Sequence, residues 1–194
     1  MTERKQLDRN VIEEAFRIMG QYLIDRKALG EIAIYRGSAI LLQFDWRQTS
    51  EDVDARVLSG NHGLVIGAAA EAAQQLELPR SWLSESVAMY ARKGEAAGDR
   101  ILVGTYPLPE RVGLRVVAAK PSYMLAMKLN ALERSTADDR DFADAVQLGI
   151  ACGVNTVDGL RETFRRFFPD HALPAASELR LRELAGTIQS KSSG

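Results

Sequence analysis

Cysteine is nearly absent. Cys152, in the apolar setting GIACGV, is the only one, so an internal disulfide and a cysteine-based zinc site are excluded, and the thiol reads as buried and inert. Histidine is scarce as well: His62 and His171 lie far apart, which argues against zinc chemistry. No apolar run approaches the roughly 20 residues of a membrane span. The opening MTERKQLDRN is charged, with no stretch of signal-peptide length, so a cytosolic protein with no membrane partner is expected. An excess of one charge is missing too. The 25 basic and 26 acidic residues leave a formal net charge of −1; no global field draws the chain to nucleic acid, and any polyanion must be held locally. Internal repeats are lacking, and the one low-complexity piece, the tail SKSSG, reads as a frayed end.

What is present belongs to a folded protein. Hydrophobic residues at 46% and charged residues at 26% separate it from disordered chains. Its 194 residues can bury a real core, as one domain or as a domain of about 110 residues with a helical annex. Apolar residues Val11, Ile12, Ala15, Phe16, Met19 and Leu23 recur at helical spacing, predicting a helix over 8–28 that covers one face of a sheet. A strand over 32–35 stops at Gly37, where Ser38 can cap a following helix AILLQF. Residues 46–51 read as a loop and VDARVL as a strand. Helices are predicted over 64–76 and 81–93, separated by Pro79, then a strand pair RILVGTY and GLRVVAA around the turn PLPERVG. Further helices are expected over 122–134, 138–152, 156–168 and 175–189. The class is α+β: an α/β core over 1–120, followed by a helical region over 121–194 packed on it.

The stretch RGSAILLQFDWRQTSEDVDARV, residues 36–57, carries the chemistry. On a strand, Asp52 and Asp54 point the same way while Val53 points into the core. Two converging carboxylates repel unless a cation sits between them, and hard oxygen ligands suit Mg²⁺ or Mn²⁺. A solvated strand end with two acids gives the same pattern. Upstream, Gly37 lets backbone approach a ligand closely, and Ser38 sits at a helix N-terminus, where phosphates are favoured. A phosphate cradle beside a metal cradle suggests a nucleoside triphosphate.

Strand, Gly37-Ser38, helix, then Asp52-Val53-Asp54 on the next strand resembles the pattern of the nucleotidyltransferase superfamily in residue type, order and approximate spacing. PSYMLAMKLNALERSTADDRDFADAVQL, residues 121–148, resembles the second half of its AbiEii-type branch, proteins often found as toxins in toxin-antitoxin systems. Lys128, Arg134, Asp141 and Asp144 occupy the motif positions, and the match covers roughly residues 30–150. The resemblance implies a nucleotidyltransferase-like mixed sheet flanked by helices. It also implies transfer of a nucleotidyl group from a nucleoside triphosphate to an RNA or protein hydroxyl, with an antitoxin protein as a further partner. Asp52 and Asp54 would hold the metal, Gly37 and Ser38 the β/γ-phosphates, and Lys128 the developing phosphate charge. Asp141 would complete the metal site or act as base.

The residues themselves read compatibly. Lys128 lies on an otherwise apolar helix face, where it either reaches phosphate or snorkels to solvent. Asp141 and Asp144, one turn apart, share a face and serve a site or charge the helix start, as Asp138 and Asp139 do. One departure is the strand GLRVVAA: the superfamily's third carboxylate is missing there, and Arg115 is present instead. That leaves a second reading, a catalytically weakened fold serving as a binding or regulatory subunit. Arg161, Arg165 and Arg166 form a local basic face or a solvated helix surface.

Overall fold

In the computed structural model the structure describes residues 6–86, 96–132, 139–173 and 177–192. The chain divides into two compact units, Met1–Ala119 and Lys120–Gly194. Among the described residues the fold is mixed α+β, with a five-stranded open sheet and seven α-helices.

The first unit opens with α1 (Arg9–Asp25), started by Asp8, whose carboxylate accepts the Val11 N–H at 2.9 Å. Its apolar stripe, Ile12, Ala15, Phe16, Met19 and Leu23, is buried and packs α1 on the sheet and on α3 (His62–Gln75). The strands are β1 (Gly30–Tyr35), β2 (Val53–Ser59), the two-residue β3 (Leu83–Ser84), β4 (Arg100–Leu108) and β5 (Arg111–Ala119), in the order β3-β2-β1-β5-β4. β1 runs antiparallel to β2 and parallel to β5; β4 and β5 form an antiparallel hairpin. Between β1 and β2 lies α2 (Arg36–Gln43), packed on both strands. Glycine is required where α1 crosses the hairpin: a Cβ on Gly113 would stand 2.0 Å from the Gly20 carbonyl oxygen, so the backbones touch without side chains between them.

The expected helix over 81–93 is not found at its start. Trp82 is buried, its indole N–H donates to the Ala69 carbonyl at 2.9 Å, and its ring lies 6.3 Å from that of Phe16. That anchor draws Leu83 and Ser84 alongside Val53 and Asp54 as a parallel edge, and core filling overrides local helix preference. Residues 87–93 of that expectation lie outside the described residues.

The second unit is helical: α4 (Pro121–Ala131), α5 (Asp139–Cys152), α6 (Val157–Phe167) and α7 (Ser177–Ser192). α4 packs on α5 and α6, and α7 on α5 and α6. Tyr123 stacks on Phe167 with centroids 5.0 Å apart, and Phe164 on Phe168 at 5.2 Å. The tail expected to fray is helical through Ser192, where the Ser192 hydroxyl donates to the Ile188 carbonyl at 2.8 Å. Arg134 and Asp138 lie outside the described residues. Among the described residues no helix is long and apolar enough to cross a membrane.

Candidate functional site

β1 passes into α2 without a loop, and the turning residue is Arg36, with φ of 55°. A non-glycine residue in that left-handed region costs about 1–2 kcal/mol. Gly37 has another role. A Cβ there would stand 2.7 Å from Arg47 Nη2 and 3.0 Å from Ser50 Oγ, so the missing side chain makes room for a guanidinium. Arg47 Nε donates to the Thr49 carbonyl at 3.1 Å, which holds that guanidinium near the start of α2. The sequence reading of Ser38 as the cap is corrected. Because the turn at Arg36 begins the helix early, the N-cap is Tyr35, and Ser38 is buried with its hydroxyl donating back to the Tyr35 carbonyl at 3.1 Å.

Val53 is fully buried and its N–H donates to the Trp82 carbonyl at 2.6 Å. Asp52 stands just before β2, half-buried, with its backbone carbonyl accepting from Ser50 Oγ at 2.8 Å. Asp54 is on β2, in register with Tyr35 of β1 on one side and Ser84 of β3 on the other. The picture of two solvated acids at a strand end fails for Asp54, which is only 6% exposed. Its Oδ1 accepts from Ser86 Oγ at 3.3 Å, and its Oδ2 lies 3.7 Å from Arg36 Nε. Ser86 in turn accepts from Ser84 Oγ at 2.9 Å.

Asp54 offers a carboxylate beside the Ser86 hydroxyl, oxygens of the type that Mg²⁺ or Mn²⁺ takes, and the Arg36 guanidinium stands 3.7 Å from it. The residues therefore fit a divalent metal in chemistry. Among the described residues no group of three or more His, Cys, Asp or Glu side chains comes together, so Asp52 and Asp54 would need further oxygens from triphosphate or water. On β5, Arg115 Nε pairs with Glu31 Oε2 of β1 at 3.5 Å, at the strand where a third carboxylate was missing from the sequence.

In the helical unit Lys128 neither snorkels nor stands alone. It is 7% exposed; its amino group donates to Asp141 Oδ1 and, at 2.8 Å, to Asp144 Oδ2. The shared face of Asp141 and Asp144 is thus the one that meets α4, and Asp144 is the more buried of the two. On α6, Arg161 is held by Asp158 at 2.7 Å and Glu178 at 2.5 Å, which leaves Arg165 and Arg166 as the exposed part of the expected basic face. The hydrogen bond from Arg161 holds the Glu178 carboxyl below its ordinary value.

Sequence reasoning missed Arg36, Arg47 and Ser86. Nothing in residue type marks Arg36 for a left-handed turn; Arg47 lay in a stretch read as loop, and Ser86 in one read as helix. The usable signal was an arginine directly before Gly37 and another five residues before Asp52. Comparison of the chain with protein-family models, with curated proteins and with solved structures found no match.

Proposed function

We propose that the chain is a metal-dependent nucleotidyltransferase of the AbiEii type, moving a nucleotidyl group from a nucleoside triphosphate to an RNA or protein hydroxyl. The observation that supports it most is the meeting of the α2 N-terminus with Asp54, joined by the Arg36 ion pair. The first N–H groups of a helix lack intrahelical partners and favour anions; here such a group of donors adjoins a carboxylate suited to a hard cation. In this reading Asp52 and Asp54 hold Mg²⁺ or Mn²⁺, which supplies charge neutralisation on the phosphates and polarises the attacking oxygen. The backbone at Gly37 and Ser38 binds β/γ-phosphate oxygens, and Arg47, lodged over Gly37, adds positive charge there. The acceptor hydroxyl gives up its proton to water, its oxygen bonds the α-phosphorus, the bond to the α–β bridging oxygen breaks, and pyrophosphate leaves. Lys128 and Asp141, expected from the sequence to serve phosphate and metal or proton, lie in the second unit, where they are ion-paired with each other; the proposal rests on the residues of the first unit. A toxin role with an antitoxin protein partner belongs to the same proposal.

A second reading, a binding or regulatory subunit without transfer, draws on two arginines: Arg36 on Asp54, and Arg115 on β5. The deciding experiment incubates the pure protein with Mg²⁺ and each labelled nucleoside triphosphate, with total RNA or lysate protein as acceptor. Label transfer that Asp54→Asn abolishes supports the enzyme; no transfer to any acceptor, together with tight capture of one partner protein, supports the subunit.

A further inference from the structure

We propose that Arg36 is a resident counter-cation for Asp54, which a divalent metal must displace, so that the site takes metal and triphosphate together and metal alone only weakly. The inference rests on the reading that Asp54 is a metal ligand. It starts from a backbone observation: a glycine would turn more easily at φ 55°, yet the position holds arginine. Strain retained at such a position has to be offset by the surrounding structure, and the side chain here reaches Asp54, a buried carboxylate of β2 in register with Tyr35 at the end of β1. Asp54 is 6% exposed, and Oδ2 lies 3.7 Å from Arg36 Nε while Oδ1 is engaged by Ser86. Burying a carboxylate without a cation is unfavourable, so the guanidinium stabilises the metal-free site. The same charge opposes an incoming cation.

Arg36 is itself about half exposed on a long stem, and it stands at the first residue of α2. Triphosphate oxygens bound at that helix start offer the guanidinium a second anion close by. Metal then replaces Arg36 at Asp54, and Arg36 moves to the phosphates, which links the two binding events thermodynamically.

The test is calorimetric titration of the full-length protein with Mg²⁺ alone, then with Mg²⁺ in the presence of a non-hydrolysable α,β-methylene triphosphate, for the wild type, Arg36→Gln and Asp54→Asn. Arg36→Gly serves as a second variant, because it removes the charge and relaxes the backbone if the glutamine form does not fold. The expected result is Mg²⁺ binding at least tenfold tighter in Arg36→Gln than in the wild type, and triphosphate binding at least tenfold weaker. Equal Mg²⁺ affinity in the two, with loss of binding in Asp54→Asn, overturns the inference and leaves the metal reading standing. No Mg²⁺ binding by either protein, with or without triphosphate, overturns both.

Discussion

Lys128 of α4 holds two carboxylates of α5 inside the helical unit. A buried ammonium shared by two carboxylates is weak evidence for net stability, but removing one side of such a cluster leaves the other charged and unpaired. Lys128→Met keeps the stem and takes the ammonium away from Asp144, itself only 6% exposed; the expected loss is about 3–5 kcal/mol in chemical denaturation. Adding Asp141→Asn and Asp144→Asn to the methionine variant should return more than half of it. A methionine variant as stable as the wild type would mean that the ion cluster contributes nothing to folding. Asp54 differs, because Asn can still accept from Ser86 and its cationic partner is half exposed. Asp54→Asn should abolish Mg²⁺-dependent triphosphate binding while costing about 1 kcal/mol, or roughly 2–4 °C in melting temperature; a melting loss several times larger would mark Asp54 as a structural ion pair. The acids and the lysine were legible from residue type and spacing. That Lys128 meets the two aspartates was not, because α4 and α5 are brought together by packing, and neither was the Arg36 contact, which depends on a backbone conformation that arginine rarely adopts.

At the level of elements, periodicity did best where one face is buried. The stripe of α1, and the turn signal PLPERVG between the two apolar stretches of β4 and β5, gave these positions to within a few residues. The connection between those strands is tighter than the seven-residue PLPERVG suggested, since β4 runs through Leu108 and β5 begins at Arg111. Residues 81–86 misled because Trp82 answers to the core of its unit and not to its neighbours in sequence. Between α6 and α7 an ion pair adds to the packing: Arg161 of α6 pairs with Glu178 of α7 and with Asp158 of its own helix. Its hydrogen bond keeps the Glu178 carboxyl below the ordinary value of 4.5. A group lowered in the folded state adds stability above its unfolded value, and that contribution is lost as pH falls through the folded value. Arg161→Met should therefore raise the Glu178 titration midpoint in carbon-detected NMR toward 4.5 and remove this element of acid sensitivity below that pH. An unmoved midpoint would show that the bridge does not persist in solution.

For the whole molecule, the division at Ala119 and Lys120 separates a sheet with its own buried set, including Phe16, Ile32, Ile34, Val53 and Trp82, from a helical unit with another, including Leu125, Leu129, Leu148, Phe164 and Leu184. A fragment ending at Ala119 is expected to unfold cooperatively and to retain the response of Mg²⁺ binding to Arg36→Gln, since Arg36, Asp54 and Ser86 all belong to it. A fragment that stays unstructured by circular dichroism would place part of the first unit's stability in the second.

Both tryptophans, Trp46 stacked on Phe44 with centroids 4.0 Å apart and Trp82 in the core, belong to the sheet unit, whereas Tyr123 is the only tyrosine of the helical one. Intrinsic emission excited at the red edge, where tyrosine is silent, therefore observes a single unit of the chain. Far-ultraviolet ellipticity, dominated by helices, weighs both. The two optical signals form a natural pair of reporters: a variant of Lys128 that shifts ellipticity and leaves emission unmoved has melted one unit under the other's watch, and one that shifts both by the same amount reveals that the units unfold as one.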